Sequence, residues 1–553
     1  MNLFNSAQYS ILELFIRSKG TNRGTLTISD NTGFSETVQA GSEFRFVRLF
    51  LFKHQEYAVQ CSHVEISLAY LCGSDRILDE GVCFLELGET LQQFSGSGLA
   101  SVYDRPFREQ YHFAPFKNWM NDPNGLCWYE GRYHLFYQAN PLAQHWGNMY
   151  WGHAASRDLV HWVHLPIVLF PQKALRDESS LVGGAFSGSA VPLADKTFFF
   201  LTRHQGPPEG GAETQEWQVR VESRDMIHFS EEQTVIREKP EGVGCDFRDP
   251  KVFRKSGKWY LVLGANFCGN AAILLYSSKD LLHWTYENPL VVEPDPRVNM
   301  VECPDCFELN GKTVALAALM GLQDHGGRRQ MTKYYIGDVH NNHLEAESTG
   351  WFDFGGNCYA VQTFEHEGKR IAAGWICDAY EEHVEVPNGA NGSLTIPRVL
   401  RIEDSILKME PVPEIYTLIR NTLYSGNSDQ ISLRKIEGNS YFARIHLAKD
   451  SDFKILLGKD GNKKIYLECR DGVTRIRTFG VKSEGVDFRS EEKPVRYMEI
   501  FVDRRTVEVF LNHGASVGTK IFYNNSILGI FDAKFKESHA VSNAEVFTMQ
   551  SIW

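Results

Sequence analysis

The feature that most constrains the fold of this chain is an internal repeat. Within residues 111–400 a hairpin-type turn followed by an apolar strand recurs five times, at a spacing of roughly 55–65 residues. The copies are "GRYHLFYQ" from Gly131, "DKTFFFLT" from Asp195, "GKWYLVLG" from Gly257, "GKTVALAA" from Gly311 and "GKRIAAGW" from Gly368. A second motif is interleaved with three of them: "SRDLVHW" at Ser156, "SRDMIHF" at Ser223 and "SKDLLHW" at Ser278, each reading as a turn into an outer strand. Self-similarity at this period, with about four strands per unit, is the signature of a β-propeller, and five copies predict five blades. The competing reading is a long β-sandwich with chance similarity, against which the two interleaved repeats argue together.

The flanks carry strand signals without the repeat, so the expected fold class is all-β. Residues 1–103 contain "TLTISD", "EFRFVRLFLF" and "HVEISLAYL" and are expected to form an N-terminal β-rich accessory domain, a sandwich. The propeller is expected over 111–403. After Pro411 and Pro413 mark a linker, residues 414–553 alternate with period two at the turn spacing of a C-terminal β-sandwich.

The formal net charge of −12 argues against nucleic acid and anionic membrane surfaces as partners. Eleven cysteines are scattered without framework spacing, and Cys303 and Cys306 lack the companions of a zinc site. No window is long and apolar enough to span a bilayer, and the N-terminus lacks the features of a signal peptide. These observations lead to the expectation of a cytoplasmic protein.

The repeat gives "WMNDPNG" (119–125) a meaning that its composition does not. Alone, Asn-Asp-Pro-Asn-Gly reads as a surface turn. Asp122, however, lies nine residues before Gly131, Ser187 eight before Asp195, Asp249 eight before Gly257, Glu302 nine before Gly311 and Tyr359 nine before Gly368. Equivalent positions on the innermost strands of a propeller meet around its axis. Three acids from blades one, three and four therefore converge, although about 180 residues separate Asp122 from Glu302. Clustering buried carboxyls is costly and contributes nothing to structure, so the set points to chemistry. Ser187 and Arg248 become lining residues by the same alignment. Paired carboxyls, one of them able to donate a proton, are the machinery of glycoside cleavage.

"WMNDPNG", "FYQ", "HWGNMYWGHAAS", "FSGS", "FRDP" and "ECPD", in that order, resemble glycoside hydrolase family 32, the invertases, fructanases and related β-fructosidases. The resemblance covers roughly residues 111–553, and "FVDRRTVEVFLNHG" (501–514) is similar to the sandwich's recurrent segment. It implies a five-bladed propeller followed by a β-sandwich. It further implies Asp122 as nucleophile, Glu302 as acid/base and Asp249 as transition-state stabiliser. Asn121, Gln138, Trp146, Phe186, Ser187, Arg248 and Trp375 are implied as the sugar-contacting wall. The implied reaction is retaining hydrolysis of sucrose or short fructo-oligosaccharides without metal or cofactor, with the two reacting carboxyls about 5–5.5 Å apart.

Two departures stand out. Asn357 in "GGNCYA" replaces an Asp often present in the family, which predicts altered contact with the sugar. The first hundred residues resemble nothing in the family; packing against the propeller, or a homo-oligomer surface, is expected ahead of a carbohydrate-binding module. His145, His153, His161 and His164 read as strand-edge and turn residues, and Asp305 as orienting its turn or supporting Glu302. Sucrose 6-phosphate is an alternative substrate, with "HGGRRQ" (325–330) the candidate phosphate contact. Fructosyl transfer, an inverting arabinan-type hydrolase and a catalytically silent sugar-binding protein are the remaining alternatives.

Overall fold

Turn chemistry accounts for the regularity of the repeats. The turns Glu130–Gly131, Ser256–Gly257, Asn310–Gly311 and Glu367–Gly368 each place two successive residues at positive φ (46° and 79° in the first). That is the type I′ hairpin turn, whose twist matches the strands it joins. The second blade differs from the expected pattern: its loop is longer and closes through the Leu193 N–H donating to the Lys196 carbonyl at 2.8 Å. The interleaved motif is also a turn. Asp158 Oδ1 accepts from the backbone N–H groups of Val160 and His161, while Oδ2 meets His161 Nδ1 at 2.8 Å. Asp225 with His228 and Asp280 with His283 repeat this arrangement. The residue after each Asp (Leu159, Met226, Leu281) sits at φ 63–64°.

In the computed structural model, which describes residues 2–88, 90–177, 180–208, 210–211 and 213–553, these units form five antiparallel sheets. Their innermost strands are Asn118–Tyr129, Val182–Pro192, Val243–Lys255, Met300–Leu309 and Cys358–His366. Each touches the next, and the fifth returns to the first, closing a ring. Closure is reinforced by Ala390–Asn391, from the fifth unit, which pairs parallel with Asn118 and Trp119. The outermost strand of the fifth blade is Ile406–Pro411, so the propeller runs past the expected limit of 403.

After the 3₁₀ turn Pro413–Leu418, two six-stranded sheets face one another over Ile445, Ile455, Leu467 and Val546. The N-terminal unit is a pair of sheets of four and five strands. Its apolar core is continuous with Tyr150, Ala155, Leu165 and Ile167 of the first blade, so this unit packs against the propeller. Phe15, fully buried, meets Tyr150 edge-on at 5.5 Å. Among the described residues no helix is long and apolar enough to cross a membrane, and none of the eleven cysteines is paired in a disulfide.

Candidate active site

Every innermost strand is bulged at the position that the repeat alignment singled out. Pairing with the second strand shifts between Met120 and Pro123, Ala185 and Gly188, Arg248 and Lys251, Glu302 and Asp305, and Tyr359 and Gln362. A bulge bends the strand and re-aims the residues it contains. Asp122, Ser187 and Asp249 lie within three of these bulges, while Glu302 and Tyr359 border the other two. Asp249 adopts φ 67°, an uncommon conformation for a residue with a side chain. "WMNDPNG" is accordingly a buried strand rather than a surface turn.

The bulges open onto a cavity of about 570 Å³ at one mouth of the propeller. Asp122, Asp249 and Glu302 line it, as do Asn121, Gln138, Trp146, Phe186, Arg248 and Trp375. Ser187 instead stands behind Asp122: its hydroxyl donates to Asp122 Oδ2 at 2.6 Å. The same oxygen accepts from Gln138 Nε2 at 2.8 Å and from the Cys303 thiol at 3.3 Å. Asp249 Oδ2 accepts from the Cys303 backbone N–H at 2.9 Å, so one residue of the fourth blade contacts both aspartates.

Glu302 is held at both oxygens. Arg248 Nη2 donates to Oε1 at 2.9 Å and the Tyr359 hydroxyl to Oε2 at 2.7 Å. Arg248 is itself anchored through Nη1 to Asp246 at 2.7 Å and to Glu216 at 3.0 Å. Glu216 also faces His204 Nδ1 at 2.8 Å, and the His204 ring stacks on Phe186 at 4.2 Å. Trp146, at the rim, is 40% exposed and meets Phe186 edge-on. Trp119 and Trp375 form the opposite aromatic pair at 5.6 Å.

Burial sets the electrostatics. It raises the Asp122 carboxyl, against the bond from Ser187, and the nearby Glu302 charge raises it further. Burial likewise pushes Asp249 up to about 8, even with the Arg248 guanidinium opposing it. The surrounding carboxylates hold Arg248 firmly cationic despite its burial. Burial beside the acids keeps the Cys303 thiol and the Tyr359 phenol well above their usual values, so both are neutral donors.

Three further expectations are corrected. Asp305 does not support Glu302: it ion-pairs with Lys251 at 2.9 Å and accepts from the Thr363 N–H, farther down the axis. Asn357 is buried away from the cavity. Its side chain donates to the Cys377 carbonyl and accepts from the Ile521 N–H, fastening the fifth blade to the sandwich. Of "HGGRRQ", only Gln330 reaches the cavity. Sequence reasoning missed Cys303, Glu216 and His204 as members of the site. Cys303 was within reach, being the residue after Glu302, but His204 and Glu216 lie on the second and third strands of blade two, outside the aligned positions.

Comparison with known proteins agrees with this geometry. Residues 112–411 match the model for the glycosyl hydrolases family 32 N-terminal domain, and residues 460–551 match that for its C-terminal domain. A sucrose-6-phosphate hydrolase of Escherichia coli is 34% identical over 77% of this chain and 92% of its own length. A levanase of Bacillus subtilis is 33% identical over 76% of this chain and 67% of its own. A solved family 32 structure from Bifidobacterium adolescentis superposes with a TM-score of 0.93 at 32% identity, covering 100% of this chain and 99% of that one. The N-terminal unit therefore has a counterpart there. A Bombyx mori β-fructofuranosidase mutant solved with sucrose has a TM-score of 0.69 at 27% identity, over 82% and 96% of the two chains. Two domain models in the right order, on a propeller whose bulged inner strands bring three carboxyls to one cavity, establish that this chain belongs to glycoside hydrolase family 32 and is a glycoside hydrolase acting on fructosides.

Proposed function

We propose that the protein is a retaining β-fructofuranosidase acting on sucrose and short fructo-oligosaccharides. The observation that carries this reading is the convergence of Asp122, Asp249 and Glu302 from three blades onto one cavity, with donors assigned to each. In the proposed reaction Asp122 attacks the anomeric C2 of the fructosyl unit through Oδ1, since Oδ2 already holds Ser187, Gln138 and Cys303. As the bond from C2 to the leaving oxygen breaks, Glu302 passes its proton to that oxygen. Water then attacks C2, its proton returns to Glu302, and Asp122 is released. The Tyr359 hydroxyl suits both halves of this cycle, because it can donate to the ionised carboxyl and accept from the protonated one. Asp249 is proposed to hold fructose hydroxyls and offset positive charge on the ring. Gln138 Oε1 and Trp375 Nε1 are buried without a protein partner and suit sugar hydroxyls.

Timed release of glucose and fructose from sucrose, with an Asp122→Asn variant alongside, tests the reading. Equal release that vanishes in the variant supports it, and glucose in excess of fructose means transfer to an acceptor sugar. No release from sucrose, its 6-phosphate or fructo-oligosaccharides would overturn it. A fructosyl group recovered on the Asp122 peptide after acid quench tests the retaining course. Relatives named sucrose-6-phosphate hydrolase supply the second substrate reading.

A further inference from the structure

Resting on the fructosidase reading, we infer that this site is built for a neutral leaving sugar and discriminates against one carrying a phosphate. Four carboxyl groups line the cavity: Asp122, Asp246, Asp249 and Glu302. A fifth, Glu216, lies directly behind them, in contact with Arg248 and His204. Arg248 is the single Lys or Arg among the described lining residues. Both terminal nitrogens of its guanidinium are already engaged, by Asp246 and Glu216 on one side and Glu302 on the other. A phosphate ester needs uncommitted donors with positive charge, typically Arg or Lys. Even with Asp249 and the proton-donating Glu302 neutral, Asp122, Asp246 and Glu216 outnumber the single guanidinium, so the cavity offers a surplus of negative charge in a partly desolvated space, where repulsion is poorly screened.

The outer wall gives the same answer. Trp146, Pro207, Pro208, Met320 and Gln330 supply apolar or uncharged surface there. Glu209 and Ala212, which bring no basic group in sequence, lie outside the described residues. The basic segment at 325–330 does not reach inward. Arg328 is buried and paired with Asp324 at 2.7 Å. Arg329, next to Gln330, is exposed and outside the lining. Lys239 donates to the carbonyls of Gly244 and Cys245 and is not among the lining residues.

The test compares kcat/KM for sucrose and for sucrose 6-phosphate on the same preparation, at low and high salt. The expected result is at least a tenfold preference for sucrose, narrowing at high salt as the repulsion is screened, with sucrose turnover itself unmoved. A Gln330→Lys variant should raise kcat/KM for the phosphorylated sugar relative to sucrose. Equal or better turnover of sucrose 6-phosphate would overturn the inference while leaving the fructosidase reading intact. Hexose release from neither sugar, nor from fructo-oligosaccharides, would remove the fructosidase reading and this one with it, whereas release from fructo-oligosaccharides alone would overturn this inference and leave that reading standing.

Discussion

Ser187 donates its hydroxyl to Asp122 Oδ2 across 2.6 Å, so the second blade holds the carboxyl that the first presents. The bond runs between bulges 65 residues apart in sequence. It also favours the ionised form that the proposed nucleophile role requires, against the burial that raises it. Ser187→Ala should therefore lower kcat for sucrose by about 10- to 100-fold with the fold intact, and Ser187→Thr should retain more activity than Ala. Steady-state kinetics with a circular dichroism control checks this, and an unchanged kcat in the alanine variant would remove Ser187 from the mechanism.

Asp249 predicts a site held at a cost to stability. Its folded-state value is raised to about 8, whereas an unfolded aspartate titrates near 3.9. The folded state thus binds the proton more tightly. Its contribution is fully present below about pH 4 and is lost as pH rises towards 8. Asp249→Asn should be inactive yet more stable than the parent at pH 8, by on the order of 1 kcal/mol or more, with the difference shrinking towards pH 4. Denaturant titrations at the two pH values decide it. A variant less stable at pH 8 would contradict the argument.

Tyr359→Phe removes one of the two groups fixing Glu302 while leaving the ring in place. The expected outcome is a kcat reduced about tenfold, with KM changed far less, because the group lost acts on the proposed proton carrier rather than on the resting sugar. The pH–rate profile should shift in the same variant. A purely structural tyrosine would leave that profile where it was.

The interface between propeller and sandwich predicts a second pH dependence, of opposite origin. His112 Nδ1 meets Asp503 Oδ2 at 2.8 Å and Nε2 meets Glu508 Oε1 at 2.9 Å, all three side chains being fully buried. Asp503 also accepts from the backbone N–H groups of Gln110, Tyr111 and His112, and Glu508 binds Arg398 of the fifth blade. Although burial opposes it, the two carboxylates raise His112 to about 9. This stabilisation is fully present below about pH 6.5 and is lost as pH rises through 9. His112→Gln should destabilise the protein by about 3 kcal/mol at pH 6 and much less at pH 10. Unfolding measured at both pH values would expose a flat difference if the histidine is not charged.

The sequence by itself determined the architecture and the convergence of the three carboxyls, because both depend on local rules that repeat. Turn residues at a fixed period mark the blades, and the distance from each turn places Asp122, Asp249 and Glu302 on equivalent inner strands. The segment "FVDRRTVEVF" was legible as a recurrent stretch, but the reason for Asp503 and Glu508, a buried network reaching across to His112 and Arg398, was not. Only the tertiary structure could decide such pairings, since they join residues about 110–390 positions apart with no shared periodicity. The same holds for Glu216 behind Arg248, for Asn357 turning to the sandwich and for Asp305 turning to Lys251. A period reports which strand a residue occupies. Which way a side chain points at a bulge, and which partner it meets across the axis, depends on how five independently formed sheets close into one ring.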